Sequence, residues 1–335
     1  MTSDRPTLLL ITGTGRSGTS TISGTMHHLG LSVPGPYLGA NRSNPKGFFE
    51  SKWAVYYHKR IHKRARVNDF DARLEALERV RAATNQEDLD ALDAWLAEHD
   101  AQQLVVKDPR TVWHQRMWAD RAAHAGRSIR YLSMLRHPAE VIGSRATYYA
   151  NRAEEMGRRS YEISQVGRWI AASLVSERET RGAPRAFVRY ADLLTDWRTV
   201  AADLATDLDL TYATGLDRSP GHPVDEFIEP DLRRIRVTWD DLDVPDALRE
   251  IAQSTWDHLD ILAGRHGASA EVSEGLDALA SRYARLLEAS HALAYDEVYA
   301  AAAEARAEGA KAARQKMKER ARERKRARES SGTVS

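Results

Sequence analysis

The sequence predicts an α/β fold: a parallel sheet flanked by helices, with a helical C-terminal extension. Three observations carry that expectation. Short apolar, partly β-branched runs alternate with longer stretches of helical periodicity. A turn holding three glycines joins the first run to the first helical stretch, and after Val244 the chain reads as helix throughout. Strands separated by helices imply crossovers, which leave the strands parallel and cover both faces of the sheet.

The predicted strands are Leu8–Thr12, Leu104–Lys107, Ile129–Leu135 and Ala186–Tyr190. Between them, helical spacing covers Thr19–Leu29, Lys52–Arg66, Gln86–Glu98, Thr111–Ala125, Ala139–Arg145, Tyr161–Arg181 and Thr195–Leu208. The expected organisation is an α/β domain over 1–240, a helical extension over 241–300 and a basic tail over 301–335. Within the extension, Val272, Leu276, Leu279, Tyr283, Leu286 and Leu293 follow a four-three spacing, broken at Ser290. Residues 272–293 therefore fit either a homodimer seam or a helix packed on the body.

Composition narrows the class. A chain of 335 residues can bury a full α/β core, with room for an extra element but not for two large domains. With no cysteine, a disulfide framework, a thiolate zinc site and a cysteine nucleophile are all excluded. The apolar run Thr7–Thr12 is too short for a signal peptide or a membrane span, so the expected location is cytoplasmic, with peripheral contact at the inner membrane surface left open. The net charge of +1 conceals an uneven distribution. Residues 306–329 hold 11 Lys/Arg and 4 Asp/Glu, a local +7, and the remainder carries about −6. Such a tail is expected to be solvated, and it suits an anionic lipid surface, an acidic polymer or nucleic acid.

The most informative stretch is Leu8-Leu-Leu-Ile-Thr-Gly13-Thr-Gly15-Arg16-Ser17-Gly18-Thr19-Ser20. Glycines let successive N–H groups converge on one point, and the new helix adds its positive end, so the turn is built for an oxyanion. Three patterns fit it. Gly13–Gly18 matches the dinucleotide fingerprint GxGxxG, but no second strand ends in an acid about 20 residues on. The same glycines open a Walker-type motif, with Thr19 where the lysine belongs; a magnesium-dependent kinase would also need a strand-end Asp, for which Asp108 is the candidate. The third pattern is a cation ahead of Ser-Gly-Thr, as in Arg16–Ser20. A merely structural strand–helix turn is the plain alternative.

A second constellation follows the strand Ile129–Leu135. Arg136 leaves its end, and Ser144 stands eight residues on, two turns into the next helix. Such a pair can converge on one phosphate through a bidentate guanidinium and a hydroxyl. Taken alone it also reads as a helix start with Pro138 near its first position.

Together, Arg16–Ser20 and Arg136/Ser144 resemble the two donor-binding elements of sulfotransferases that use 3′-phosphoadenosine 5′-phosphosulfate. Asn44-Pro-Lys-Gly-Phe-Phe-Glu50, Lys107-Asp-Pro-Arg110 and Tyr190-Ala-Asp-Leu-Leu194 resemble segments of a bacterial branch of that family, in the family's order; Ala191 stands where an acid is usual. The resemblance covers roughly residues 7–240 and fades after Arg236. It implies a P-loop-like fold and transfer of a sulfuryl group to an acceptor hydroxyl. Gly15, Arg16, Ser17, Gly18, Thr19 and Ser20 would bind the 5′-phosphosulfate and Arg136 and Ser144 the 3′-phosphate, with Tyr190 also among the donor-binding residues. Glu50 would be the general base, with Arg16 and Lys107 stabilising charge on the leaving oxygen. Asp108 and Arg110 would orient Lys107 or pair with each other. No metal is required, because protein cations carry the charge that magnesium carries in kinases.

Each assignment has a plainer counterpart. Glu50 also fits a carboxylate at the start of the helix from Lys52, and Lys107 a surface lysine at a strand end. His58 and His62, four apart on one helical face, are expected to be a surface pair, since no glutamate follows His58 and no third ligand is evident. His27 and His28 fall late in the first helix and read as structural or solvated. Tyr37, Phe48, Phe49, Trp53, Tyr148 and Tyr149 should flank the cleft, where aromatic faces suit sugar rings or planar acceptors but packing serves equally. Arg233, Arg234 and Arg236 are candidates for a basic loop over the donor. Rival functions are a magnesium-dependent kinase and a non-catalytic protein that binds anions or polymers through its tail. A carbohydrate hydroxyl is the favoured acceptor.

Overall fold

The computed structural model describes residues 5–41, 44, 46–148, 150–217, 221–228 and 236–331. The elements are, in chain order, β1 (Thr7–Thr12), α1 (Thr19–His28), α2 (Lys52–Ala65), α3 (Ala76–Ala83), α4 (Gln86–Glu98), β2 (Gln103–Lys107), α5 (Gln115–His124), β3 (Ser128–Leu135), α6 (Pro138–Tyr148), α7 (Ala150–Met156), α8 (Arg158–Glu179), β4 (Arg185–Arg189), α9 (Tyr190–Thr195), α10 (Trp197–Asp207), α11 (Pro223–Phe227), α12 (Asp246–Ala263), α13 (Ala270–Leu293) and α14 (Tyr295–Ser331).

The four strands among the described residues form one parallel sheet in the order β2-β1-β3-β4. All six residues of β1 are buried, as a central parallel strand requires. Ile11 lies opposite Lys107, and Thr12 opposite Ser133. The C-terminal end of β1 is therefore flanked by the ends of β2 and β3. The order reverses at this point, where open α/β sheets hold their ligands.

The sheet is covered on both faces. Leu9, Ile11, Leu132, Met134 and Val188 pack with Ile22 and Met26 of α1 and with Leu204 of α10. On the other face the Tyr131 hydroxyl donates to the Gln115 carbonyl of α5, and the Thr12 and Ser176 hydroxyls of β1 and α8 lie 2.9 Å apart.

Several boundaries differ from expectation. The helix predicted over Thr111–Ala125 is split, because the Asp108 side chain caps a 3-10 turn, Pro109–Trp113, before α5 begins. Tyr190 opens α9 instead of ending β4. α3 is not among the expected helices; it buries Ala76, Leu77 and Val80.

The chain divides into two compact units, Met1–Tyr283 and Ala284–Ser335. In the first, α12 packs on α8 and β4. Val272, Leu276, Leu279 and Tyr283 of α13 are buried there, and the Tyr283 hydroxyl sits 2.8 Å from the Ala72 carbonyl and 3.0 Å from that of Gly167. Four of the six positions of the four-three spacing are thus packed within this chain, as the second of the two alternatives has it. Leu293, the last of them, is 91% exposed. In the second unit α14 runs to Ser331, and the side chains described from Ala303 to Glu323 are exposed. No described helix is long and apolar enough to cross a membrane.

Candidate active site

The turn after β1 has the backbone an anion cradle needs. Gly18 has a φ of +94°, and a Cβ there would lie 2.2 Å from the Tyr190 ring. Gly13, at φ +127°, lies against the backbone of β3, where a Cβ would come within 2.8 Å of the Met134 carbonyl. Neither position admits a larger residue without displacing a neighbour. Arg16 also takes a positive φ, 77°, sparsely populated for residues with a Cβ and found where a site over-determines the chain. Ser17 N–H bonds back to the Thr14 carbonyl, and the Ser17 and Thr14 hydroxyls pair. Thr19, in the place of a kinase lysine, is buried.

The end of β3 locks onto this turn. Arg16 Nε donates to Ser144 Oγ at 3.2 Å, and the Arg136 guanidinium donates to the Arg16 carbonyl at 3.2 Å. Arg136 also pairs with Glu140 at 2.9 Å and lies 5.2 Å from the centre of the Tyr190 ring. Two elements 120 residues apart in sequence therefore form one patch, which contains Arg16, Gly18, Arg136, Ser144 and Tyr190.

The end of β2 closes the other side. Lys107 is 2% exposed, so it is no surface lysine. Its Nζ donates to Ser20 Oγ at 2.9 Å, to the Phe48 carbonyl at 3.1 Å and to the Glu50 carboxylate. Glu50, 5% exposed, precedes the α2 N-cap Ser51, and the partner of its carboxylate is Lys107, not the helix end. Burial pushes the Glu50 carboxyl above its ordinary range; Lys107 and Arg110 oppose that rise and Asp108 adds to it.

Behind Lys107 lies a network that the sequence concealed. His58 and His62 are buried, at 0% and 2% exposure, which overturns the expectation of a surface pair. The cause is the apolar face of α2, which carries both rings inward with Val55, Tyr57 and Ile61. His58 Nδ1 is 2.8 Å from Asp108 Oδ2, and the Trp118 indole N–H donates to His58 Nε2 at 2.9 Å. Asp108 Oδ1 accepts from the Arg110 backbone and guanidinium, and Arg110 also holds Asp69 at 2.6 Å. Burial alone would raise the Asp108 carboxyl, but Arg110 and His58 outweigh it and hold it well below the carboxylate range. His114 stacks on both other rings, at 4.5 and 5.1 Å between centroids. Burial keeps His114 uncharged and lowers His62 to about 4.

A third arginine reaches the turn. Arg145 donates to the Gly15 carbonyl at 3.3 Å and to Gln165 at 3.0 Å, and it covers the Phe70 ring at 4.8 Å. Its place beside Ser144 was the only signal, since Phe70 and Gln165 are distant in sequence. Arg233 and Arg234 lie outside the described residues, as does Tyr149; Arg236 is exposed.

Solved structures similar to this chain include two sulfotransferase domains. The sulfotransferase domain from the Synechococcus PCC 7002 olefin synthase aligns over 78% of this chain and 98% of its own, at 18% identity and a TM-score of 0.43. The sulfotransferase domain from the curacin biosynthetic pathway aligns over 77% and 99%, at 16% identity and a TM-score of 0.41. No protein-family model and no curated protein sequence matches the chain.

The donor set as a whole suits a polyanion. Three arginines, a buried lysine, the hydroxyls of Ser20 and Ser144 and the head of α1 all surround the end of β1.

Proposed function

We propose that this chain is a sulfotransferase that moves a sulfuryl group from 3′-phosphoadenosine 5′-phosphosulfate to an acceptor hydroxyl. The observation that carries this reading is the interlock of Arg16 with Ser144 and of Arg136 with the Arg16 carbonyl. It joins the two anion-binding elements into one surface, as a donor with phosphates at both its 5′ and 3′ positions requires.

Gly15–Ser20 would hold the 5′-phosphosulfate, and Arg136 with Ser144 the 3′-phosphate beside the Tyr190 ring. When bound, the donor supplies an activated sulfuryl group whose bond to the bridging oxygen breaks as the acceptor oxygen attacks sulfur. Arg16 and Lys107 stand at neighbouring strand ends, where they would neutralise charge on that bridging oxygen. Glu50 would accept the proton of the acceptor hydroxyl. Lys107 favours its ionised form while burial opposes it, and the net rise makes it a stronger base than an exposed glutamate. A carbohydrate hydroxyl remains the acceptor we favour, because the chain before Glu50 carries half-buried aromatic rings, although Tyr37 and Phe49 also pack on the core and Phe49 on Phe227.

A magnesium-dependent kinase fits less well. Asp108, its candidate metal ligand, is fully buried with both oxygens engaged by His58 and Arg110. Calorimetry separates the two: adenosine 3′,5′-bisphosphate should bind without magnesium, and labelled donor should turn over with a pooled acceptor. Preference for ATP with magnesium would overturn the reading.

A further inference from the structure

The buried chain Trp118–His58–Asp108 behind Lys107 has no part in the chemistry above, yet each of its hydrogen bonds is specified. The Trp118 indole N–H can only donate, so His58 Nε2 must accept, and the proton of the neutral ring lies on Nδ1. Nδ1–H therefore donates to Asp108 Oδ2. The other oxygen of Asp108 caps the 3-10 turn through the Arg110 N–H. Asp108 is the residue next to Lys107, so its side chain fixes where the backbone turns at the end of β2. From that point the Lys107 side chain reaches Ser20, Phe48 and Glu50.

We propose that the buried chain Trp118–His58–Asp108 is a positioning device for the Glu50–Lys107 pair: it fixes the strand end from which Lys107 reaches, and it maintains a negative charge near Glu50. The charged groups acting on Glu50 are Lys107, Asp108 and Arg110. Arg110 acts on Asp108 through its charge and His58 through its hydrogen bond, and His58 is flanked by His62 and His114, which burial keeps neutral. Asp108 resists ionisation of Glu50 and so keeps it basic; Lys107 and Arg110 pull the other way. His58 and Asp108 touch no reacting atom. They act through Lys107 and Glu50, and the catalytic consequence rests on the sulfotransferase reading, whereas the electrostatic one does not.

The test uses the full chain labelled with carbon-13 at the glutamate carboxyl, in which the Glu50 resonance is the one absent from Glu50→Gln. Asp108→Asn should move the Glu50 titration to lower pH, because a nearby negative charge has gone. His58→Leu, which leaves Asp108 without that donor, should lower kcat about ten- to a hundred-fold while KM for the donor stays within about threefold. His58→Asn, whose amide can still donate to Asp108, should recover most of the loss. An unmoved Glu50 titration in Asp108→Asn overturns the proposal, and so does an equal loss of kcat in His58→Leu and His58→Asn. Should Asp108→Asn fail to fold, the two His58 variants decide. Adenosine 3′,5′-bisphosphate affinity on the same preparations reports the integrity of the donor site. If the unmodified chain does not bind that nucleotide, the sulfotransferase reading fails while the Glu50 titration still judges the device.

Discussion

Glu50 is acted on by opposing forces, and their balance sets the pH at which a base is present. Burial resists its charge more than Lys107 favours it, so its carboxyl titrates above the ordinary value of 4.5. Below that raised midpoint Glu50 is protonated and cannot accept a proton. Activity should therefore be full above it and fall as pH drops through it, and the acid limb of kcat/KM should lie above the usual carboxylate range. Glu50→Gln keeps size and hydrogen bonding but removes basicity, so turnover should fall by about 10²–10⁴-fold with donor affinity unchanged. A large loss of bisphosphate affinity would instead make Glu50 a loop anchor. Arg136 makes a different kind of contact. On the proposed reading, Arg136→Ala would remove a charge-assisted bond to the 3′-phosphate, worth about 1.5–3 kcal/mol, and should narrow the preference for 3′-phosphorylated over plain nucleotides; an unchanged ratio of affinities rejects its role. At this scale the sequence named Arg16, Lys107, Arg136, Ser144 and Glu50 because each stands in a local motif. It could not reveal that Glu50 and Lys107 meet, since their contact spans 57 residues. His58 was misplaced because an amphipathic helix shows its period but not how deep its face is buried.

At the scale of elements, β1, its turn and α1 were legible because one strand, a glycine turn and one helix are consecutive in sequence. The neighbours that give the turn its shape were not. Tyr190 belongs to α9, and nothing local to it announces that its ring fills the space beside Gly18. The resulting prediction combines two costs. Gly18→Ala places a Cβ at a φ of +94° and 2.2 Å from that ring, so it should destabilise the fold by more than about 1 kcal/mol. It should also push Tyr190 from Arg136 and weaken bisphosphate binding. Thermal unfolding and calorimetry on the variant check both effects. Unaltered melting and affinity together would mean that Tyr190 swings aside freely and does not shape the donor site. The split of the predicted helix over Thr111–Ala125 has a local cause instead: Asp108 and Pro109, just ahead of that range, start a short 3-10 turn before α5 begins.

For the whole molecule, the sheet order brings three strand ends to one crevice, and the charge distribution sets the tail apart from the body. α14 carries the local +7 of residues 306–329 against about −6 elsewhere, and its described side chains beyond Ala303 are exposed. Apart from alanine, the apolar residues after Tyr299 are Met317, which is 64% exposed, and Val334, which lies outside the described residues. A helix that buries so little adds little to folding. Truncation before Ala301 should accordingly leave bisphosphate binding intact and shift Tm by less than about 2 °C, because roughly 1 kcal/mol moves Tm by about 2–4 °C in larger domains. A larger shift would show that the tail packs on the body. What truncation should change is the handling of charged acceptors. If the tail recruits an anionic polymer or surface, KM for such an acceptor should rise in the truncated chain while KM for a small uncharged acceptor stays put. Added salt should produce the same rise in the full chain, since exposed charges are screened beyond about 8–10 Å near physiological ionic strength. Equal KM values for full and truncated chains on the anionic acceptor would remove the recruiting role and leave the tail a solvated helix.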